Sequence, residues 1–257
     1  MIAALPMYDF PGIARANDAF WTSIRGQLRA EGVAAPEALT RGVDPAANWR
    51  SPELLFGQTC GYPYWMGLRD TVEILATPVY AFEGCEGPMH CSFLVVRGDD
   101  PRETLAAFRG ARAGVNAFDS NSGMNLFRAS VAPLAQGRHF FAEVVRTGAH
   151  AASVAAVAEG AADIAAIDCV SFALLQQSQP TLATRILART PSSPALPFVA
   201  SRALPPKTLA TLRAALADIA RQPALGLEGV AFLPPEAYAR VDELEHEATA
   251  LGYPRLA

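Results

Sequence analysis

Residues 140–168 read FFAEVVRTGAHAASVAAVAEGAADIAAID, from Phe140 to Asp168. The run Phe140–Arg146 is apolar and β-branched enough for a strand. His150 to Glu159 is rich in Ala and Val, and Gly160 stands where a helix stops. Ile164–Ile167 is a second short strand. Strand, helix and strand within one short stretch is the signature of an α/β chain, because a parallel pair needs a crossover.

The same alternation extends in both directions. Ile2–Leu5 reads as a strand, and Ile13 to Leu28 as a helix, with Ile13, Ala16, Phe20, Ile24 and Leu28 at spacings of three and four. Leu54–Gln58 and Val72–Tyr80 read as strands, the second carrying Pro78. Cys91–Arg97 is nearly continuous in apolar residues, as an interior strand would be. Ala113–Ala117 is strand-like, and Gly123 to Ala135 is helical. A helix from about Val170 to Gln177, short strands at Ile186–Arg189 and Phe198–Ala200, a helix after Pro205-Pro206 and an amphipathic segment at 235–251 complete the pattern. Two loop-rich crossings, 83–88 and 190–197, bracket a compact α/β block. Residues 1–88 plus 196–257 are therefore expected to form one discontinuous lobe and residues 89–195 an inserted second lobe. Two hinges would then join them, with a ligand cleft between and hinge closure as the motion.

Composition narrows the class. Of 257 residues, 51% are hydrophobic and 18% charged, which suits a globular chain rather than a disordered one. The formal charge of −4 and the lack of a basic run argue against nucleic acid. No stretch approaches the roughly 20 apolar residues of a membrane span, so no membrane insertion is expected. The first residues lack the basic and apolar regions of a secretory signal. The sequence is thus expected to be cytoplasmic as written, and periplasmic if it is a processed form. Cys60, Cys85, Cys91 and Cys169 form no Cys-x-x-Cys pair, so buried thiols are expected and neither a metal nor a cofactor. A disulfide among them would instead indicate export.

Three turns carry candidate chemistry. Phe118-Asp119-Ser120-Asn121-Ser122-Gly123-Met124 lies between a strand and a helix. Its Ser and Asn side chains can cap the helix, and its bare amides can take an anion. Thr147-Gly148-Ala149-His150 is a second such turn, where His150 could donate to an oxyanion. Both should open at the carboxyl edge of one parallel sheet. The third is Gln58-Thr59-Cys60-Gly61-Tyr62-Pro63-Tyr64, a turn-rich segment whose hydroxyls could meet the ligand from the other lobe.

Ser120-Asn121-Ser122-Gly123, then Thr147-Gly148-Ala149-His150, then a helix leading to Gly-Ala-Ala-Asp-Ile-Ala, resembles the phosphate, phosphite and phosphonate substrate-binding proteins of ABC importers. The resemblance implies the two-lobed type II periplasmic-binding-protein fold, no catalysis, and a monomer that serves an ABC permease. It assigns Ser120, Asn121 and Ser122 to the phosphorus oxygens and His150 to the same oxyanion; Gly123 of the same turn is counted with them as ligand-binding, and Thr59 and Tyr62 of the third turn are expected to meet the ligand from the first lobe. His90 falls where many members carry a ligand-touching tyrosine, and Asn121 where threonine is usual. Asp168 lies near, but offset from, the carboxylates that hold the amine of aminoalkylphosphonates. Phosphate, phosphite or a simple phosphonate is the expected ligand.

Two enzyme readings compete. Ser122, His150 and Asp168 could act as nucleophile, base and orienter, but no Gly-x-Ser-x-Gly elbow is present. The alternative is a cytoplasmic biosynthetic enzyme on the same fold, like those of the menaquinone route, acting on an organic carboxylate.

Overall fold

The computed structural model describes residues 1–179, 183–219 and 221–256. The chain divides into two compact units. The first comprises Met1–Ala81, Glu86–Pro88 and Pro194–Ala237, and the second Phe82–Cys85, Met89–Ser193 and Tyr238–Ala257.

The first unit is built on a five-stranded sheet in the order Ile2–Ala4, Leu54–Gln58, Phe198–Ser201, Val72–Tyr80 and Leu227–Ala231. The first two strands are parallel, whereas Phe198–Ser201 runs against both of its neighbours. The helix Ala14–Ala30 buries Phe20, Trp21, Ile24 and Leu28, the stripe that the spacing of three and four predicts. Its Phe20 and Trp21 meet Phe56 and Phe198 of the sheet, with ring centroids 5.6–6.2 Å apart. Each such ring contributes about 1.5–3 kcal/mol through its burial. Pro78 lies within Val72–Tyr80 beside the last strand, opposite Val230.

The second unit has a five-stranded sheet in the order Thr184–Arg189, Ser92–Arg97, Ile164–Asp168, Arg112–Val115 and Glu143–Arg146. Arg112–Val115 is parallel to both of its neighbours. Ser92–Arg97 is interior, as expected, but antiparallel to both of its neighbours. The sheet is therefore mixed rather than uniformly parallel. One edge collects the carboxyl ends of four strands and the start of the fifth. The helix His150–Ala158 ends before Gly160, whose φ of 77° only glycine adopts without strain.

The C-terminal segment departs from the expected partition. Residues 238–256 belong with the second unit, not the first. Ala248, Tyr253 and Leu256 share a core with Phe108, Phe127, Val131 and Phe140. Polar contacts fix the same seam: Asn125 Nδ2 donates to the Val241 carbonyl at 2.8 Å, and Arg128 to that of Pro254 at 2.8 Å. A helix with Val241, Leu244 and Ala248 on one stripe needs an apolar face, and the helix Leu126–Ala135 supplies it. The unit also ends at Ser193 rather than Ala195.

Three local features escaped the sequence reading. Pro45–Arg50 is a short helix capped by Asp44, and Leu227–Ala231 is a strand preceded by Gly226 and interrupted by Gly229. The turn-rich 59–63 segment opens a helical stretch, Gly61–Pro63 followed by the wider turns of Tyr64–Leu68. Proline is tolerated there because a first turn needs no amide donor.

Candidate functional site

The shared edge of the second sheet gathers the polar groups. Strand Arg112–Val115 runs out into Asn116 and the turn to Ser120. Ser120 is extended and its Oγ accepts the Gly123 amide at 3.0 Å, so it caps the helical stretch 121–135. The stretch begins with the wide turns of Asn121–Asn125 before becoming regular at Leu126. Asn121 is fully buried; its Nδ2 donates to Ser193 Oγ at 2.8 Å and its Oδ1 accepts from Asn125 Nδ2 at 3.1 Å. The side chains of Ser120 and Asn121 are thus tied to the protein itself. First-turn amides, such as that of Ser122, have no acceptor within a helix.

Gly123 owes its identity to crowding. A Cβ there would lie 1.8 Å from Asn116 Oδ1 and 3.2 Å from His150 Cε1. The glycine lets these side chains close over the helix start.

Ser122 and His150 meet across two successive turns. Ser122 Oγ and His150 Nε2 are hydrogen-bonded at 2.9 Å, and the Ser122 carbonyl accepts from Ser92 Oγ at 2.9 Å. His150 is the first residue of its helix. Burial pushes its imidazole below the ordinary value; the charge of Asp168 opposes this and that of His90 adds to it. A neutral ring is therefore favoured near pH 7. Its Nδ1 is buried without a hydrogen-bond partner.

Asp168 ends strand Ile164–Asp168 and caps the helix Cys169–Ser178. One carboxylate oxygen accepts the Ser171 amide at 2.8 Å and the other accepts from His90 Nδ1 at 2.7 Å. Both side chains are buried, His90 completely. Burial alone would raise the Asp168 carboxyl. The hydrogen bond and charge interaction with His90, the charge of His150 and the Ser171 amide together hold it below the usual carboxylate value. Because Asp168 is engaged by His90 and Ser171, it does not orient His150. Ser122, His150 and Asp168 do not assemble as a relay.

The structure brings Ser120, Asn121, Ser122, Gly123, His150, His90 and Asp168 to this one edge. Thr59 and Tyr62 lie in the first unit. Thr59 is fully buried and its Oγ1 donates to the Cys60 carbonyl at 3.3 Å, while Tyr62 is half-buried in the turn after it. Residues not anticipated at the edge are Asn116, Ser92, Ser171, Thr190 and Ser193. Asn116 was hidden inside the expected strand 113–117, which the structure ends at Val115, whereas Ser92 was legible as a polar break opening an apolar strand.

Behind His90 and Asp168 lie their chain neighbours Cys91 and Cys169. Cys169 Sγ is 3.5 Å from Cys85 Sγ, and Cys85, Cys91 and Cys169 are free thiols. Mutual thiol hydrogen bonds and burial raise Cys91 and Cys169 well above the usual thiol range. Among the described residues, no group of three or more His, Cys, Asp or Glu side chains could hold a metal ion.

Solved structures with the same architecture define the class. A binding-protein component of an ABC phosphonate transporter from Pseudomonas aeruginosa superposes with a TM-score of 0.77 at 15% identity, covering 98% of this chain and 87% of that one. PhnD1 from Prochlorococcus marinus in complex with methylphosphonate gives 0.74 at 14% identity, covering 96% and 97%. XAC2383 from Xanthomonas citri bound to ATP gives 0.70 at 17%, covering 98% and 97%. The fold is that of the type II periplasmic-binding proteins. Residues 50–244, more than half of the chain, match the family described as ABC transporter, phosphonate, periplasmic substrate-binding protein, and the chain belongs to that family. It is accordingly a solute-binding protein of an ABC-type system, in a family that binds substrates rather than transforming them. No curated protein sequence matches it. No helix among the described residues is long and apolar enough to cross a membrane.

Proposed function

We propose that this solute-binding protein takes a small phosphorus oxyanion, namely phosphate, phosphite or a simple phosphonate, at the sheet edge of its second unit. The observation that carries the reading is the 2.9 Å contact between Ser122 Oγ and His150 Nε2. It joins the starts of two helices, each of which favours an anion through free amides and its dipole. A tetrahedral oxyanion inserted there would exchange this contact for hydrogen bonds from the Ser122 hydroxyl, the His150 ring and the first-turn amides. Ser120 and Asn121 act through their backbone and by fixing the turn. His90 and Asp168 line the same edge. Methylphosphonate and ATP, the ligands of two similar structures, both present phosphorus–oxygen groups. The protein works as a monomer delivering its ligand to an ABC permease.

A titration by calorimetry, with melting curves beside it, tests this. Phosphate, phosphite, methylphosphonate and sulfate are compared with an aromatic carboxylate. A ligand at 100 times its Kd adds about 2.7 kcal/mol of stability, a Tm rise of several degrees for a chain of this size. A response to the aromatic carboxylate with none to any phosphorus oxyanion would instead favour the biosynthetic-enzyme reading.

A further inference from the structure

His90 has a ring nitrogen to spare. It is completely buried, its Nδ1 lies 2.7 Å from an Asp168 carboxylate oxygen, and its Nε2 has no hydrogen-bond partner. The other Asp168 oxygen already accepts the Ser171 amide. A carboxylate that accepts on both oxygens takes a proton from Nδ1, so a neutral His90 carries its proton there and offers a lone pair at Nε2. His90 also lies close enough to His150 for their charges to interact.

We infer that His90, fixed by Asp168, shares one proton with an oxygen of the bound ligand, and that the site thereby selects phosphorus oxyanions that still carry an O–H over sulfate. This rests on the anion reading of the same edge. A hydrogen phosphonate brings the shared proton with it, donating its O–H to Nε2. Sulfate brings none and must draw one from solvent. Without that proton, the lone pair of Nε2 faces a sulfate oxygen and repels it. The direct hold on an amine that a free carboxylate would give is also absent, because Asp168 is spent on His90 and Ser171.

The other titratable and charged groups around the pair are few. Cys91 follows His90, Cys169 follows Asp168, and Cys85 touches Cys169. Arg189, paired with Glu83, acts on Cys91 from the neighbouring strand. Burial and thiol hydrogen bonding hold Cys91 and Cys169 protonated, and the arginine is already charged, which leaves the imidazoles of His90 and His150 as the basic nitrogens at this edge.

Affinities for methylphosphonate and sulfate, measured by calorimetry across about pH 5.5 to about 7.5, test the inference. A ligand that must recruit one proton loses roughly tenfold in affinity per pH unit above the acceptor's own pKa. Methylphosphonate should hold its affinity until its own second ionisation, while sulfate weakens, so the ratio of the two rises at least tenfold over the range. His90→Gln cannot change charge and should make that ratio independent of pH. Asp168→Asn keeps the helix cap, but its amide group turns the His90 proton to Nε2. Sulfate should then gain on methylphosphonate at every pH. A flat ratio in the unaltered protein overturns the inference while leaving the anion site standing. A steep ratio that survives His90→Gln assigns the proton elsewhere and overturns it too. If methylphosphonate, phosphite and phosphate all fail to bind at any pH, the anion site and this inference fall together.

Discussion

The two units use their polar residues in opposite ways. In the first, Gln58 is buried at the end of a strand and tied to its surroundings: its side-chain Nε2 donates to the Tyr80 hydroxyl at 3.3 Å and the Leu196 carbonyl at 3.1 Å, and its backbone carbonyl accepts from Trp49 Nε1 at 3.0 Å. In the second, the equivalent strand ends leave His90 Nε2, His150 Nδ1, Asn116 Oδ1 and Ser171 Oγ buried without a hydrogen-bond partner. An unmet buried polar atom costs about 1–3 kcal/mol. Under the reading proposed above, a polar ligand at this edge would return that energy. The first unit's strand ends are finished structure, whereas those of the second are an unfinished hydrogen-bond network.

That contrast can be broken most severely at Gly123. Gly123→Ala puts a methyl group against Asn116 and His150. Affinity for methylphosphonate should fall more than a hundredfold, with a stability loss of about 1–3 kcal/mol from overpacking. Unchanged calorimetric binding would show that the helix start is not where the ligand sits. Next is Arg128, which is 3% exposed and bonded to Asn125, Pro254 and Glu245. Arg128→Ala should cost about 3 kcal/mol in a urea melt, because it strands buried partners. A negligible cost would detach the C-terminal segment from the second unit. His150→Ala should lower affinity about tenfold, one hydrogen bond's worth, and barely move the melting temperature. Gln58→Leu should do the reverse, losing about 1–3 kcal/mol of stability with binding unaltered. If the two variants behave alike, the contrast between the units is wrong.

The smallest effects are those of pH on folding. Asp168 titrates lower in the folded protein than in the unfolded chain. Its stabilising contribution is therefore complete above about pH 4 and lost as pH falls through the folded value. Asp168→Asn should remove that acid limb from the stability profile. The depressed His150 works at milder pH. The unfolded chain takes up its proton first, so stability declines as pH drops below about 6.5. His150→Ala should flatten this part of the curve, read from melting temperatures at successive pH values.

Much of this was legible in the residues. The strand at Leu54–Gln58 and the turns at Ser120–Gly123 and Thr147–His150 follow from local rules: apolar runs make strands, Ser120 caps the helical stretch that follows it, and Gly148 marks the turn before the Ala- and Val-rich helix. What local rules could not give was the company each element keeps. The segment from Tyr238 onward has an amphipathic pattern that would suit either unit, and only the seam of Asn125, Arg128 and the helix Leu126–Ala135 decides between them. The pairing of His90 with Asp168 joins residues 78 positions apart through the register of two antiparallel strands, which no spacing records. The direction of Ser92–Arg97 was hidden too, since an interior strand is apolar whichever way it runs.

The return of the chain to the second unit sets the order in which the protein is finished on the ribosome. The second unit is begun at Phe82, set aside while residues 194–237 complete the first, and closed only when Ala248, Tyr253 and Leu256 reach the core around Phe127. Residues 238–256 are thus the latch of the second unit. A chain broken off after Ala237 would hold every segment of the first unit and leave the second core open. Such a product should be recognised by chaperones and proteases through its exposed phenylalanines, with no fault in any site residue.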